Sequence, residues 1–133
     1  MRLLETNIYD TGDTIIIVGT CLSRMQPEGF KKLTEISSNI YELCLEESHV
    51  NMAITKIGSM LRTGKVKKVI FASVDKSPHC VQMHYIQDEL RKMMNTEVEF
   101  VNYVSVNDEL IEISKEVISL SKNLAELMKT SIN

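Results

Sequence analysis

Residues 66 to 84, VKKVIFASVDKSPHCVQMH, run a strand-forming segment straight into a helix start that carries a cysteine between two histidines. Ser77 has the side chain of a helix N-cap and Pro78 suits the first helical position, which places His79 and Cys80 in the first turn. His84 follows Cys80 at i+4, one turn further along the same helical face. A thiol there sits at the positive end of the helix dipole, where a thiolate is favoured, and a cationic His79 or His84 would favour it further. Such a cysteine can attack an electrophile, transfer sulfur, or cycle with a second thiol as a disulfide. This reading makes Cys80 the reactive group, His84 its partner and Cys21 the resolving thiol.

Two other chemistries draw on the same residues. Cys80 and His84 at i and i+4 can converge on one metal ion, with Cys21 and His49 completing a mixed sulfur and nitrogen set suited to zinc or ferrous iron. The tight double spacing that marks zinc motifs is missing. Alternatively, a phosphate, a carboxylate or another small anionic ligand could meet the backbone donors of Ser77 to Cys80, with Arg24 as countercharge and Asp75 and His79 shaping the pocket. Gly19 is the only glycine of the first loop before Gly29, so neither a dinucleotide fingerprint nor a P-loop is present. Val81 to Ile86 include no arginine, which removes a phosphatase-type anion loop.

Each of these residues also has a purely structural reading. Cys44 continues an apolar helical stripe and reads as core, and Cys21 reads equally well as a small hydrophobe at a strand end. Cys80 could pack as an inert thiol, His49 and His84 could be hydrogen-bonded or surface histidines, and Asp75 could simply form the turn before Ser77. Under those readings the chain is a non-catalytic binding or assembly protein.

The elements that must position these groups are legible from periodicity. Ile15 to Val18 is continuously apolar, as in a strand buried on both faces, and Gly19-Thr20-Cys21 leaves its carboxyl end. Asn7 to Tyr9, set off by Asp10-Thr11-Gly12-Asp13, is expected to pair with it as a hairpin or at least to form a turn leading into it. From Pro27 the positions Phe30, Leu33, Ile36, Ile40, Leu43 and Cys44 recur at helical steps, and Ser48 opens a second helical stretch that runs to Gly64. Lys67 to Val74 is a second strong strand, followed by a helix from about Pro78 to Met94 and a third strand over Glu97 to Val106. Asn107-Asp108 predicts a turn into a returning strand at Leu110 to Ile113. Ser114 caps a last helix with an apolar stripe from Val117 to Met128. Strands alternating with helices predict one α/β domain over residues 1–133, a three-layer α/β/α sandwich. Its sheet is expected to be mostly parallel, with antiparallel edge strands or terminal hairpins. In such a sheet ligands bind outside the carboxyl ends of the strands, where Cys21 and Cys80 both fall.

Composition bounds the partners. A chain of 133 residues with 44% hydrophobic and 25% charged residues and a net charge of −3 has the profile of a folded domain. Its sequence pI near 5.6 and scattered lysines argue against a nucleic-acid face. The longest apolar run, Ile15 to Val18, is far too short for a membrane span, and the start of the chain lacks an apolar leader core, so a cytoplasmic address is expected. Three cysteines without a CxxC pair are expected as free thiols or ligands. Apolar edge strands and the last helix would also allow a homodimer.

Overall fold

The computed structural model describes residues 1–132. Five strands, β1 (Thr14–Gly19), β2 (Ile40–Leu43), β3 (Lys68–Val74), β4 (Glu99–Val106) and β5 (Glu109–Ile113), form one sheet in the order β2-β1-β3-β4-β5. The first four are parallel, and β5 returns antiparallel to β4. Parallel neighbours need crossovers. Helices α1 (Leu22–Met25) and α2 (Pro27–Ile36) lead from β1 to β2, and α3 (Val50–Arg62) leads from β2 to β3. A 3-10 helix, Cys80–Tyr85, runs into α4 (Ile86–Met93) between β3 and β4, and α5 (Lys115–Lys122) and α6 (Leu124–Ile132) follow β5.

Alternating side chains of β1 and β3 build two cores, one on each sheet face. Ile15, Ile17, Val69 and Phe71 meet Ile57 of α3 and Leu90 of α4. Ile16, Val18, Ile70 and Ala72 meet Leu22 of α1 and Leu33 of α2. The continuous apolar run of β1 is explained by this double burial, and the layered α/β/α architecture is the one the sequence predicts.

Four local expectations are corrected. Asn7 to Tyr9 forms no strand: Asn7 closes a turn, its carbonyl accepting from the Asp10 amide at 3.1 Å and its side chain from the Tyr9 amide at 2.9 Å. The chain before it makes a short 3-10 helix, Leu3–Glu5, whose Leu3 is fully buried, while Met1 O accepts from the Glu42 amide and so covers the outer edge of β2. The stripe from Pro27 does not continue to Cys44 as a helix. It ends at Ile36, where Ser37 turns extended (φ −156°) and donates its hydroxyl to Thr14 O at 2.8 Å, and Ile40 to Leu43 becomes β2.

The helix expected from Pro78 is 3-10 as far as Tyr85 and becomes α-helical only at Ile86. The last helix is split at Asn123, and Leu124, Leu127 and Met128 stay exposed instead of packing on the sheet. Among the described residues no helix is long and apolar enough to cross a membrane.

The terminal hairpin forms where Asn107-Asp108 predicts it. Asn107 (φ 50°) and Asp108 (φ 65°) both take the left-handed conformation of a two-residue hairpin turn. That turn is tied to α2. Gln26 Oε1 accepts from Ser105 Oγ at 3.1 Å and from the Asp108 amide at 2.6 Å, and Asp108 Oδ1 accepts from the Glu28 amide at 3.1 Å. The approach is close enough that a Cβ on Gly29 would overlap Ser105 Oγ. Gly29→Ala is therefore expected to cost about 1–3 kcal/mol through overpacking, read as a lower urea midpoint with an unchanged slope. An unchanged midpoint would show that α2 can stand off the hairpin freely.

A three-thiol cavity at the carboxyl ends of the strands

β1, β2 and β3 leave the sheet at the same end, and each is followed by a loop carrying one cysteine. Gly19 pairs in register with Leu43, and the Thr20 amide donates to Leu43 O at 3.3 Å, so the loops holding Cys21 and Cys44 start side by side. Cys80 reaches over from β3. Its Sγ lies on the backbone of Gly19, 2.8 Å from where a Cβ would stand, so the sulfur fills the space of the missing side chain. Cys21, Cys44 and Cys80 line one cavity of about 40 Å³, together with Thr20, Ser77 and His79. All three thiols are free and partly buried.

Cys44 is the residue that sequence reasoning missed. It belongs to the cavity because the segment before it is a strand that ends at Leu43, where the helical stripe had made it core. The signal that could have found it is Ser37-Ser38-Asn39, a helix-breaking run between Ile36 and Ile40.

The loop after β3 is built to hold Cys80. Ser77 Oγ accepts from the Cys80 amide at 3.3 Å and Ser77 O accepts from the Val81 amide at 3.2 Å, which is N-cap geometry ahead of a 3-10 turn. Lys76 just before it takes a left-handed φ of 68°, a conformation that costs a non-glycine residue roughly 1–2 kcal/mol. Asp75 is exposed, and its amide ties the loop to β4 through Ser105 O at 3.2 Å. His79 Nδ1 lies 3.5 Å from Glu46 Oε1, joining the loops after β3 and β2 across the rim of the cavity. The Arg24 guanidinium approaches Cys21 Sγ at 4.0 Å. His49 is exposed at the start of α3, makes no capping bond with its side chain, and is not part of the cavity lining.

His84 corrects the expectation most sharply. It is buried, with Nε2 2.7 Å from Ser73 Oγ on β3 and Nδ1 2.9 Å from Asn102 Oδ1 on β4. Asn102 Nδ2 donates to Gln87 Oε1 at 2.9 Å, which leaves Oδ1 to accept from His84 Nδ1–H and Nε2 to accept from the Ser73 hydroxyl. Both ring nitrogens are thus engaged away from Cys80. Helix type explains why. Four residues along a 3-10 helix turn the side chain by about 120°, whereas along an α-helix they bring it nearly back to the same face. Met83, at i+3, lines the cavity with Cys80 instead. The α-helical dipole likewise begins at Ile86, a full 3-10 helix beyond Cys80.

Burial lowers the pKa of His84 below its ordinary value, and the Asn102 hydrogen bond opposes that shift without reversing it. The ring is held neutral. The proposed metal set Cys21, His49, Cys80 and His84 is not brought together, and among the described residues no group of three or more His, Cys, Asp or Glu side chains is arranged to hold a metal ion.

The model of the Rossmann-like domain family matches residues 11–133. The chain belongs to this family. Comparison with curated proteins and with solved structures gave no match. In a Rossmann-like sheet the ligand cleft opens where successive crossovers leave for opposite sides. Here the chain moves from β1 outward to β2 and then across β1 to β3, so the switch point lies between β1 and β3. The contact of Cys80 with Gly19 sits at that point.

A neutral buried histidine makes stability depend on pH in a defined direction. The unfolded histidine takes up a proton near 6.5, the folded one only at lower pH, so below about 6.5 the unfolded state binds more protons and stability falls as pH falls. Urea midpoints at pH 7.5 and 5.5 should show this loss. His84→Gln should cost about 1–3 kcal/mol at neutral pH by leaving buried partners unsatisfied, and should flatten the pH dependence. Equal slopes in both proteins would refute a neutral buried ring.

Proposed function

We propose that this Rossmann-like domain is a dithiol protein in which Cys80 reacts with a small electrophile and Cys21 resolves the product as a disulfide. One observation carries the reading: three free thiols from the ends of three adjacent strands line a single cavity at the topological switch point, with Cys80 Sγ seated on Gly19. The class is a thiol-dependent oxidoreductase or transferase with a small-molecule partner.

The surrounding residues have separable roles. Ser77 fixes the backbone of Cys80, and Asp75 anchors the loop to β4. His84 acts as a positioning residue: it ties the 3-10 helix that carries Cys80 to β3 and β4. The Arg24 guanidinium, 4.0 Å from Cys21 Sγ, holds that side chain at the edge of the cavity. His79 and Glu46 form the rim through which a reagent passes. A reducing compartment such as the cytoplasm keeps the thiols in the form the reaction needs.

Treatment with a two-electron oxidant should remove two hydrogens from the chain and leave one intramolecular disulfide, mapped to Cys21 and Cys80 by peptide mass spectrometry. Cys80→Ser should abolish it and Cys44→Ser should leave it intact. Three cysteines modified independently and at one common slow rate would sink the proposal.

A further inference from the structure

We propose that the electrophile is a hydroperoxide of the size of hydrogen peroxide, which Cys80 reduces to water. This rests on the dithiol reading above and adds the substrate class. The argument is volumetric. The thiol cavity measures about 40 Å³, whereas the open grooves along α3 and α4 measure about 460 to 490 Å³. A water molecule needs roughly 10–15 Å³ of such space, so the thiol cavity has room for about three or four water-sized groups. Two bonded oxygens meet that limit and a branched organic electrophile does not.

The lining suits the same substrate. Thr20 and Ser77 are among the residues that line the cavity and carry hydroxyls that can exchange hydrogen bonds with peroxide oxygens, while Met83 and Leu43 add apolar surface. Cys80 Sγ is pinned by its contact with Gly19, so the direction of attack is set by packing.

The steps balance without a bound cofactor. The Cys80 thiolate attacks one peroxide oxygen, the O–O bond breaks, and Cys80 becomes a sulfenic acid as hydroxide leaves and is protonated to water. Cys21 then attacks the Cys80 sulfur, a second water departs with the Cys21 proton, and the S–S bond closes. Two molecules of a low-molecular-weight thiol reduce that disulfide by exchange and leave as their own disulfide, restoring both cysteines. Cys44, on the same cavity wall, is the thiol available when Cys21 is absent.

The test treats the full chain with hydrogen peroxide, tert-butyl hydroperoxide and methyl methanethiosulfonate, following each cysteine by mass spectrometry and dividing each rate by that of free cysteine. Hydrogen peroxide should give the Cys21 to Cys80 disulfide, with a normalised rate at least about tenfold above that of tert-butyl hydroperoxide. Gly19→Ala should displace Cys80 Sγ and lower the peroxide rate by about tenfold. The comparison of the two peroxides on the unaltered chain decides the matter even where Gly19→Ala does not fold. Equal normalised rates for the two peroxides overturn the size argument. Methylthiolation of Cys80 without any peroxide oxidation overturns the substrate class and leaves the dithiol reading standing. A Cys80 inert to every reagent overturns both.

Discussion

The geometry of the three-thiol cavity depends on one neutral imidazole. His84 accepts from Ser73 on β3 and donates to Asn102 on β4, so a single buried ring clamps the 3-10 helix onto two adjacent strands. Each such bond contributes only about 0.5–1.5 kcal/mol net, but an unmade one costs about 1–3 kcal/mol because the buried group is left without water or a partner. The asymmetry fixes the helix more firmly than the bonds themselves do. One member of the network is still short: Gln87 Nε2 is buried without a partner, an orphan accepted so that Oε1 can orient Asn102.

With its far end clamped, the 3-10 helix leaves Cys80 little choice of position. Met83 descends into the core one residue before His84, and both it and Cys80 approach Gly19. Glycine is needed there because the close approach is of sulfur to backbone. Any side chain at that point would push Cys80 out of the cavity that the loops after β1 and β2 enclose. The site is thus a packing feature first. Three of the residues on its wall carry thiols.

What the sequence reveals and what it conceals follow from how much each signal depends on tertiary contact. β1 and β3 are legible because continuous apolar runs have few alternatives to double burial, and the β4 to β5 hairpin is legible because Asn107 and Asp108 tolerate left-handed backbone. β2 is not. Ile36, Ile40, Leu43 and Cys44 satisfy a helical period, and only Ser37-Ser38-Asn39 marks the break that the Ser37 hydroxyl makes on Thr14 O. Reading that segment as helix moved Cys44 into a core where it does not belong. The second failure has the same root. Ser77-Pro78 opens a 3-10 and an α-helix equally well, and the choice rests on His84 finding Ser73 and Asn102, both distant in sequence. The place of Cys80 at the carboxyl end of β3 is legible, and the side chain that lies beside it is not.

The C-terminal segment completes the argument from the outside. α5 does not cover a bare sheet face; it packs on the segment that carries the site, with Tyr85 Oη and Ser121 Oγ 2.9 Å apart and Lys122 Nζ both 2.5 Å from Asp88 Oδ2 and over the Tyr85 ring at 5.3 Å. Tyr85 is the last residue of the 3-10 helix, one position after His84. The thiol-bearing helix is therefore held from within by a histidine and from without by a tyrosine, on consecutive residues. The outer contact is partly exposed and polar, and contacts of that kind add little to stability. Its consequence is local. The outer contact through Tyr85 and the buried clamp on His84 share no partner, so loss of the first leaves the contacts of the second in place.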